Sequence, residues 1–188
     1  ATGSFTATLS SDIAASLTAG TPYSLNLARA GQNGRLTFSG TAGGSVGIGV
    51  AGLVTSPANQ TVVINVLKPD GTSLNSVTTS TTGGFANLSN LPVTGTYTVF
   101  IDPYYAATAS MQVTLDPGVA LALDGAPSSI SLNTVGQKAR LTFAGTAGKN
   151  LGLGITGLSL SPSTSTYAYI NVYKPDGSYF DSIACYTS

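Results

Sequence analysis

A domain-length repeat constrains the fold of this chain more than any other feature of its sequence. Residues 31–53 read GQNGRLTFSGTAGGSVGIGVAGL, and residues 136–158 return as GQKARLTFAGTAGKNLGLGITGL. The phrase INVLKPDG at 64–71 likewise returns as INVYKPDG at 170–177. A period of about 105 residues matches a globular domain rather than a solenoid repeat. The sequence therefore predicts two related domains in series.

Short segments of alternating apolar and polar residues run through the first copy, and strong helix formers are scarce. Val, Ile, Thr, Tyr and Phe fill these segments, while Gly, Pro, Asn and Asp separate them. We expect strands near residues 24–27, 35–40, 46–50, 61–67, 74–79, 85–91, 96–101 and 110–115. Strands at this spacing are typical of a sandwich. The predicted fold class is all-β, with tandem β-sandwich domains of jelly-roll or immunoglobulin-like type.

The position at which the repeat starts within the chain predicts the domain boundaries. Residues 1–9 (ATGSFTATL) match residues 107–115 (ATASMQVTL), the last strand of the first copy. We therefore expect residues 1–12 to carry the last strand of a preceding repeat or a donated strand. Residues 13–116 would form a complete sandwich, and residues 117–188 a second, incomplete one. An incomplete sandwich leaves backbone groups unpaired and a core divided, which is unfavourable.

Two explanations of this starting position stay open. The chain is an excerpt of a longer tandem array, or neighbouring subunits complete each other by donating strands. In both cases the partners are other copies of the protein or further repeats of the same chain. The donated or edge strand that would mediate assembly consists of Ser4, Phe5, Thr6, Ala7, Thr8 and Leu9.

Composition excludes several classes of function. Charged residues make up 7% of the chain, the net charge is zero, and Glu, His and Trp are absent. Neutrality removes the positive patch that nucleic-acid binding requires. Without His or Glu, the usual catalytic bases and metal ligands are missing, so we expect no enzyme, no cofactor and no metal site. No apolar run is long enough to span a membrane.

Two glycine motifs and one cysteine have plain structural interpretations. KPDG at 68–71 and 174–177 suits a type I turn that closes a hairpin. Gly47 and Gly49 alternate within a predicted strand, which keeps one face bare for a second backbone or an aromatic ring. Cys185 is the single cysteine, so it is either a small buried side chain or one half of an intermolecular bridge.

Aromatic residues supply the candidate binding surfaces. Tyr167, Tyr169, Asn171 and Tyr173 share one strand face, opposite the apolar face that contains Ile170. This face could be core, could contact a neighbouring domain or subunit, or could stack on sugar rings. A smaller aromatic loop, with the same alternatives, is formed by Tyr104 and Tyr105.

The order GQxxRLTFSGTAG, GxGxxGL, INVxKPDG and LPVTGTYTVFIDPYYAATASMQVTL resembles the β-sandwich repeats of large secreted bacterial proteins. It is also similar to bacterial pre-peptidase C-terminal domains. The resemblance implies a secreted, non-catalytic accessory or surface domain, located outside the cell or at its surface. We therefore expect a structural subunit of a bacterial surface fibre, sheath or adhesin that assembles by strand pairing. The alternative is a carbohydrate-binding or accessory module of a secreted enzyme.

Overall fold

The computed structural model describes residues 2–80, 83–132, 137–161 and 166–187. The chain divides into two compact units, Ala1–Thr142 and Phe143–Ser188. By sequence the second copy of the repeat begins after residue 116, so its first residues belong to the first compact unit.

All regular elements of the described residues are strands, apart from one 3-10 turn at Tyr104–Ala106. The expectation of an all-β fold is thus confirmed. The strands of the first copy are β1 Ile13–Ser16, β2 Tyr23–Leu27, β3 Gly34–Gly40, β4 Val46–Ser56, β5 Val62–Leu67, β6 Ser73–Thr79, β7 Gly84–Leu88, β8 Gly95–Pro103 and β9 Thr108–Asp116. The part of the chain that the structure describes has no helix long and apolar enough to cross a membrane.

Two sheets enclose the core of the first unit. One has the strand order β1-β3-β8-β5-β6, and the other has the order β2-β9-β4-β7. Alternation decides which side chains face inward: in β3, Leu36 and Phe38 are buried, whereas Arg35 before them and Ser39 after them are exposed. Tyr97 of β8 is fully buried, stacks on Phe38 with ring centroids 5.3 Å apart, and donates a 2.6 Å hydrogen bond to the carbonyl oxygen of Val93.

All eight strands expected in the first copy are present, but the sequence pattern missed β1. Ile13–Ser16 pairs in parallel with β3, and Ile13 lies opposite Gly34. Its sequence, IAAS, has too little apolar alternation to stand out. Tertiary contacts hold it instead: Arg35 forms an ion pair with Asp12, and Gln32 donates a 3.0 Å hydrogen bond to the carbonyl oxygen of Ser11.

The described residues of the second copy form two pairs of strands. β10 Val119–Leu121 pairs with β11 Leu141–Phe143, and β12 Tyr167–Tyr173 pairs with β13 Tyr179–Tyr186. The hairpin β12–β13 repeats the register of β5–β6: Ala168 lies opposite Cys185 where Val62 lies opposite Thr79. Each hairpin contains one bulge near its KPDG turn.

The KPDG turns confirm the hairpin prediction. In the first, the amide of Gly71 donates to the carbonyl oxygen of Lys68 at 2.9 Å, and in the second Gly177 does the same to Lys174 at 2.9 Å. The carboxylate of Asp70 accepts hydrogen bonds from the amide and the hydroxyl of Thr72 at 2.9 and 2.7 Å. The aspartates of these turns therefore shape the backbone.

Candidate assembly and binding surfaces

The predicted assembly strand lies unpaired at the start of the first unit. Residues 2–12 form no strand, and Ser4, Thr6, Ala7 and Thr8 are exposed. The two large apolar side chains of the segment, Phe5 and Leu9, are 93% and 94% exposed. Ala1 lies outside the described residues. The segment thus has the alternating apolar and polar side chains of a strand, but it is not part of any sheet and exposes both kinds of side chain.

The repeat shows which position such a segment takes when it is paired. Its counterpart β9 lies between β2 and β4 in the second sheet. β9 buries Ala109, Met111, Val113 and Leu115, and it turns Ser110 and Gln112 outward. By the match of residues 1–9 to 107–115, the inward set corresponds to Gly3, Phe5, Ala7 and Leu9. The exposed segment thus carries the apolar face of a central strand.

Side chains that the first copy buries are exposed in the second. Core positions of the first copy, which are 3%, 1% and 0% exposed, are Phe38, Ile48 and Val50. Their counterparts, which are 50%, 46% and 39% exposed, are Phe143, Leu153 and Ile155. Exposed apolar side chains mark interaction surfaces where they form a contiguous patch, and Leu153 and Ile155 are two residues apart in the sequence.

Tyr167, Tyr169, Asn171 and Tyr173 lie together on one exposed face of β12, as their parity predicts. The opposite face carries Ala168, Ile170 and Val172, which are half-buried. Cys185, a half-buried free thiol, lies opposite Ala168 on β13.

The sequence analysis missed two further tyrosines of this face. In the register of the hairpin, Tyr186 lies opposite Tyr167 and Tyr179 lies opposite Tyr173. The rings of Tyr167 and Tyr186 are 5.9 Å apart, and those of Tyr173 and Tyr179 are 6.3 Å apart. Pairing the second KPDG hairpin on the pattern of the first would have predicted both contacts. We call the surface formed by Tyr167, Tyr169, Tyr173, Tyr179 and Tyr186 the tyrosine face.

The geometry of the tyrosine face limits what it can bind. Its three ring contacts have interplanar angles of 80°, 51° and 84°, so the rings stand at angles to one another and do not form one flat platform. Between them lie polar side chains: Asn171 is opposite Ser182, which also accepts a 3.0 Å hydrogen bond from the hydroxyl of Tyr179. Exposed tyrosine rings that stand at angles to one another suit contact with an irregular partner surface.

The aromatic loop is a separate feature of the first unit. Tyr104 and Tyr105 form the 3-10 turn after β8, and their ring centroids are 5.9 Å apart. The amide of Tyr104 donates to the carbonyl oxygen of Thr61 at 3.0 Å, which ties the loop to the residue that precedes β5. Tyr105 is the more exposed of the two, and its φ of 55° lies in the left-handed region.

The alternating glycines of β4 accommodate an aromatic ring, as predicted. A Cβ atom at Gly47 would lie 2.9 Å from Cε1 of Phe85 and closer still to its Cζ. At Gly49 the nearest ring atom would be 3.5 Å away. The counterparts Gly152 and Gly154 have no heavy atom within 4 Å of such a Cβ. Among the described residues, the ring contact is therefore present in the first copy and absent from the second.

The titratable groups with perturbed pKa values belong to turns. Hydrogen bonds from Thr72 lower the pKa of Asp70, and those from Ser178 lower the pKa of Asp176. Both carboxylates are exposed and accept hydrogen bonds from nearby backbone amides. Within the described ranges, no three His, Cys, Asp or Glu side chains come together as a metal site.

Comparison with known proteins gives one distant likeness. No family model matches the sequence, and no curated protein matches it. Among solved structures, the chain is similar to PliG of Aeromonas hydrophila, a periplasmic inhibitor of g-type lysozyme. The identity is 14% and the TM-score is 0.35, over 56% of this chain and 99% of that one.

Proposed function

We propose that this protein is a non-catalytic, extracellular structural protein, a subunit of a bacterial surface fibre, sheath or adhesin. It is built of tandem β-sandwich repeats and assembles with other copies of itself through β-strand pairing. The observation that carries the proposal is the contrast between the two copies. Phe143, Leu153 and Ile155 are exposed at positions that the first copy buries in its core.

The free energy of burying these side chains favours association. Removing apolar surface from water stabilises a complex by about 25 cal/mol per Å². A large Leu, Ile or Phe side chain therefore contributes about 1.5–3 kcal/mol when it becomes fully buried. Within one chain the second unit leaves these contributions unrealised, and a partner that supplies strands would realise them.

Composition supports an extracellular, non-enzymatic role. Net charge is zero and charged residues are few, so little electrostatic repulsion opposes self-association. The pKa shifts found in the described residues arise within KPDG turns and require no reacting group. The resemblance to secreted β-sandwich repeats points to the same setting.

Sedimentation velocity, paired with electron microscopy of the same sample, tests the proposal. We expect the 188-residue chain to form elongated multimers whose size rises with concentration. The double variant L153S/I155S should assemble less, because it removes apolar surface that assembly buries. V54S is the matched control, because Val54 is also an exposed apolar residue but lies on β4 of the first unit.

A monomer at every concentration would overturn the assembly function. A monomer that is retained on immobilised polysaccharide, and released by Tyr169→Ala, would favour a carbohydrate-binding module. The tyrosine face is the specific feature on which that second function would rest.

A further inference from the structure

We propose that residues 2–9 of one copy pair, as an antiparallel strand, with residues 151–156 in the second unit of another copy. This inference rests on the proposed function and specifies its partner and its register. The occupant is a second copy of this chain.

The first copy contains the template for this contact. β9 is hydrogen-bonded to β4 in antiparallel register, with Leu115 opposite Ile48, Val113 opposite Val50, and Gln112 opposite Ala51. Residues 151–156 are the counterparts of 46–51, and residues 1–9 are the counterparts of 107–115. Both halves of a pairing that is formed in the first copy therefore recur, unpaired, elsewhere in the chain.

The template fixes the register of the proposed pairing. Leu9 lies opposite Leu153 and Ala7 lies opposite Ile155, on the apolar face. Thr8 lies opposite Gly154 on the other face. A shift by one residue would turn every apolar side chain of the donated strand outward, so the pattern disfavours registers that differ by an odd number of residues.

Residues 2–9 and residues 151–156 have the uncharged side chains and the exposed apolar surface that favour burial in an interface. Neither residues 2–9 nor residues 151–156 contain a charged side chain. Phe5 and Leu9 of the donor, and Leu153 and Ile155 of the acceptor, are all exposed in the single chain. Pairing the two segments replaces water around their apolar side chains with cross-strand contacts. It also gives strand hydrogen bonds to the backbone N–H and C=O groups of both segments, which belong to no strand in the single chain.

A connection of the same length follows the donor segment and its counterpart β9. Three residues separate Leu115 from Val119 at the start of β10, and three separate Leu9 from Ile13 at the start of β1. The donor thus leads into the first copy as β9 leads into the second. Contacts of this head-to-tail kind are heterologous, and they extend into filaments where the rotation does not close.

Disulfide trapping between separate chains tests the register. In a Cys185→Ser background, Thr6→Cys and Thr156→Cys are placed in different molecules, which are then mixed under mild oxidation. Their counterparts Gln112 and Ala51 are directly paired, so we expect a linked dimer within the assembly. Thr6→Cys mixed with Gly152→Cys is the matched control, since four residues along a strand move the partner by about 13 Å.

Two adjacent donor residues provide a second test. Phe5→Asp places a charge on the inward face of the donor, and Ser4→Asp places the same charge on its outward face. Because burying an unpaired charge is costly, we expect Phe5→Asp to raise the concentration for half assembly at least about tenfold. Ser4→Asp should change it little. Both residues are exposed in the single chain, so neither variant disturbs its fold.

The outcomes separate this inference from the proposed function. Selective linkage of the 6–156 pair, together with loss of assembly in Phe5→Asp, would support the inference. If assembly persists in Phe5→Asp, or if both cysteine pairs link equally, the strand donation is refuted while self-assembly stands. If the unmodified chain does not assemble, the proposed function fails as well. A 6–156 link that forms only within a single doubly substituted chain would refute the second copy as the partner.

Discussion

Replacing Gly47 with alanine tests whether the bare face of β4 is required by the ring that covers it. The new methyl group would come within 3 Å of two atoms of the Phe85 ring, including Cε1 at 2.9 Å. A methyl group at Gly49 would meet Cδ2 of the same ring at 3.5 Å, an ordinary van der Waals contact. The two positions therefore differ in packing while sharing a strand, a face and a neighbour.

The expected magnitude follows from two opposing effects. Overpacking a well-filled site costs about 1–3 kcal/mol. Replacing glycine by alanine also restricts the unfolded chain, which stabilises the fold by about 0.4–1 kcal/mol. Gly47→Ala should therefore lower the free energy of unfolding by about 0.5–2 kcal/mol. Gly49→Ala should leave it unchanged or raise it by up to about 1 kcal/mol.

Urea unfolding followed by far-ultraviolet circular dichroism measures these changes. Because the chain has two compact units, native-state hydrogen exchange at the amides of β4 would assign the change to the first unit. Gly152→Ala is the internal control, since its methyl group would meet no atom within 4 Å. In a Phe85→Leu background the cost of Gly47→Ala should shrink. Equal effects at Gly47 and Gly49 would refute the argument.

Two further predictions concern single hydrogen-bonded groups. Hydrogen bonds from Thr72 hold the pKa of Asp70 below its ordinary value of 3.8, so the stability they contribute is present above that value. It is lost as the pH falls through the lower, folded pKa, and Asp70→Asn should flatten this part of the acid-unfolding profile; an unchanged profile would contradict the prediction. Tyr97→Phe removes the 2.6 Å hydrogen bond to the carbonyl oxygen of Val93 and should lower the free energy of unfolding by about 0.5–1.5 kcal/mol. Thermal unfolding measures that loss, and an unshifted midpoint would count against it.

Local patterns were sufficient to predict most of the first unit. The alternation in β5 places Val62, Ile64 and Val66 on one face, and all three are buried. KPDG predicts a hairpin because proline, aspartate and glycine each suit one position of the turn. The spacing of Gly47 and Gly49 predicts a bare strand face, and Phe85 covers it.

Features that depend on pairing between distant segments could not be predicted in this way. β1 forms because its backbone pairs with β3, and the residues Ile13–Ser16 alone do not indicate that pairing. The tyrosine face was only partly predicted, because the bulge between Val172 and Tyr173 changes the parity across the hairpin. Parity along β12 cannot show that Tyr179 and Tyr186 join the same face.

The tyrosine face occurs in one copy of the repeat and not in the other. At the positions of Tyr167, Tyr169 and Tyr173, the first copy has Thr61, Val63 and Leu67. The two copies therefore share the register of the hairpin, while their outer surfaces differ in chemistry. In a fibre assembled as proposed above, the aromatic surface would recur once for each copy of this sequence rather than once for each repeat. A partner that recognises this surface would find one binding site for each copy of the sequence, and not one for each repeat.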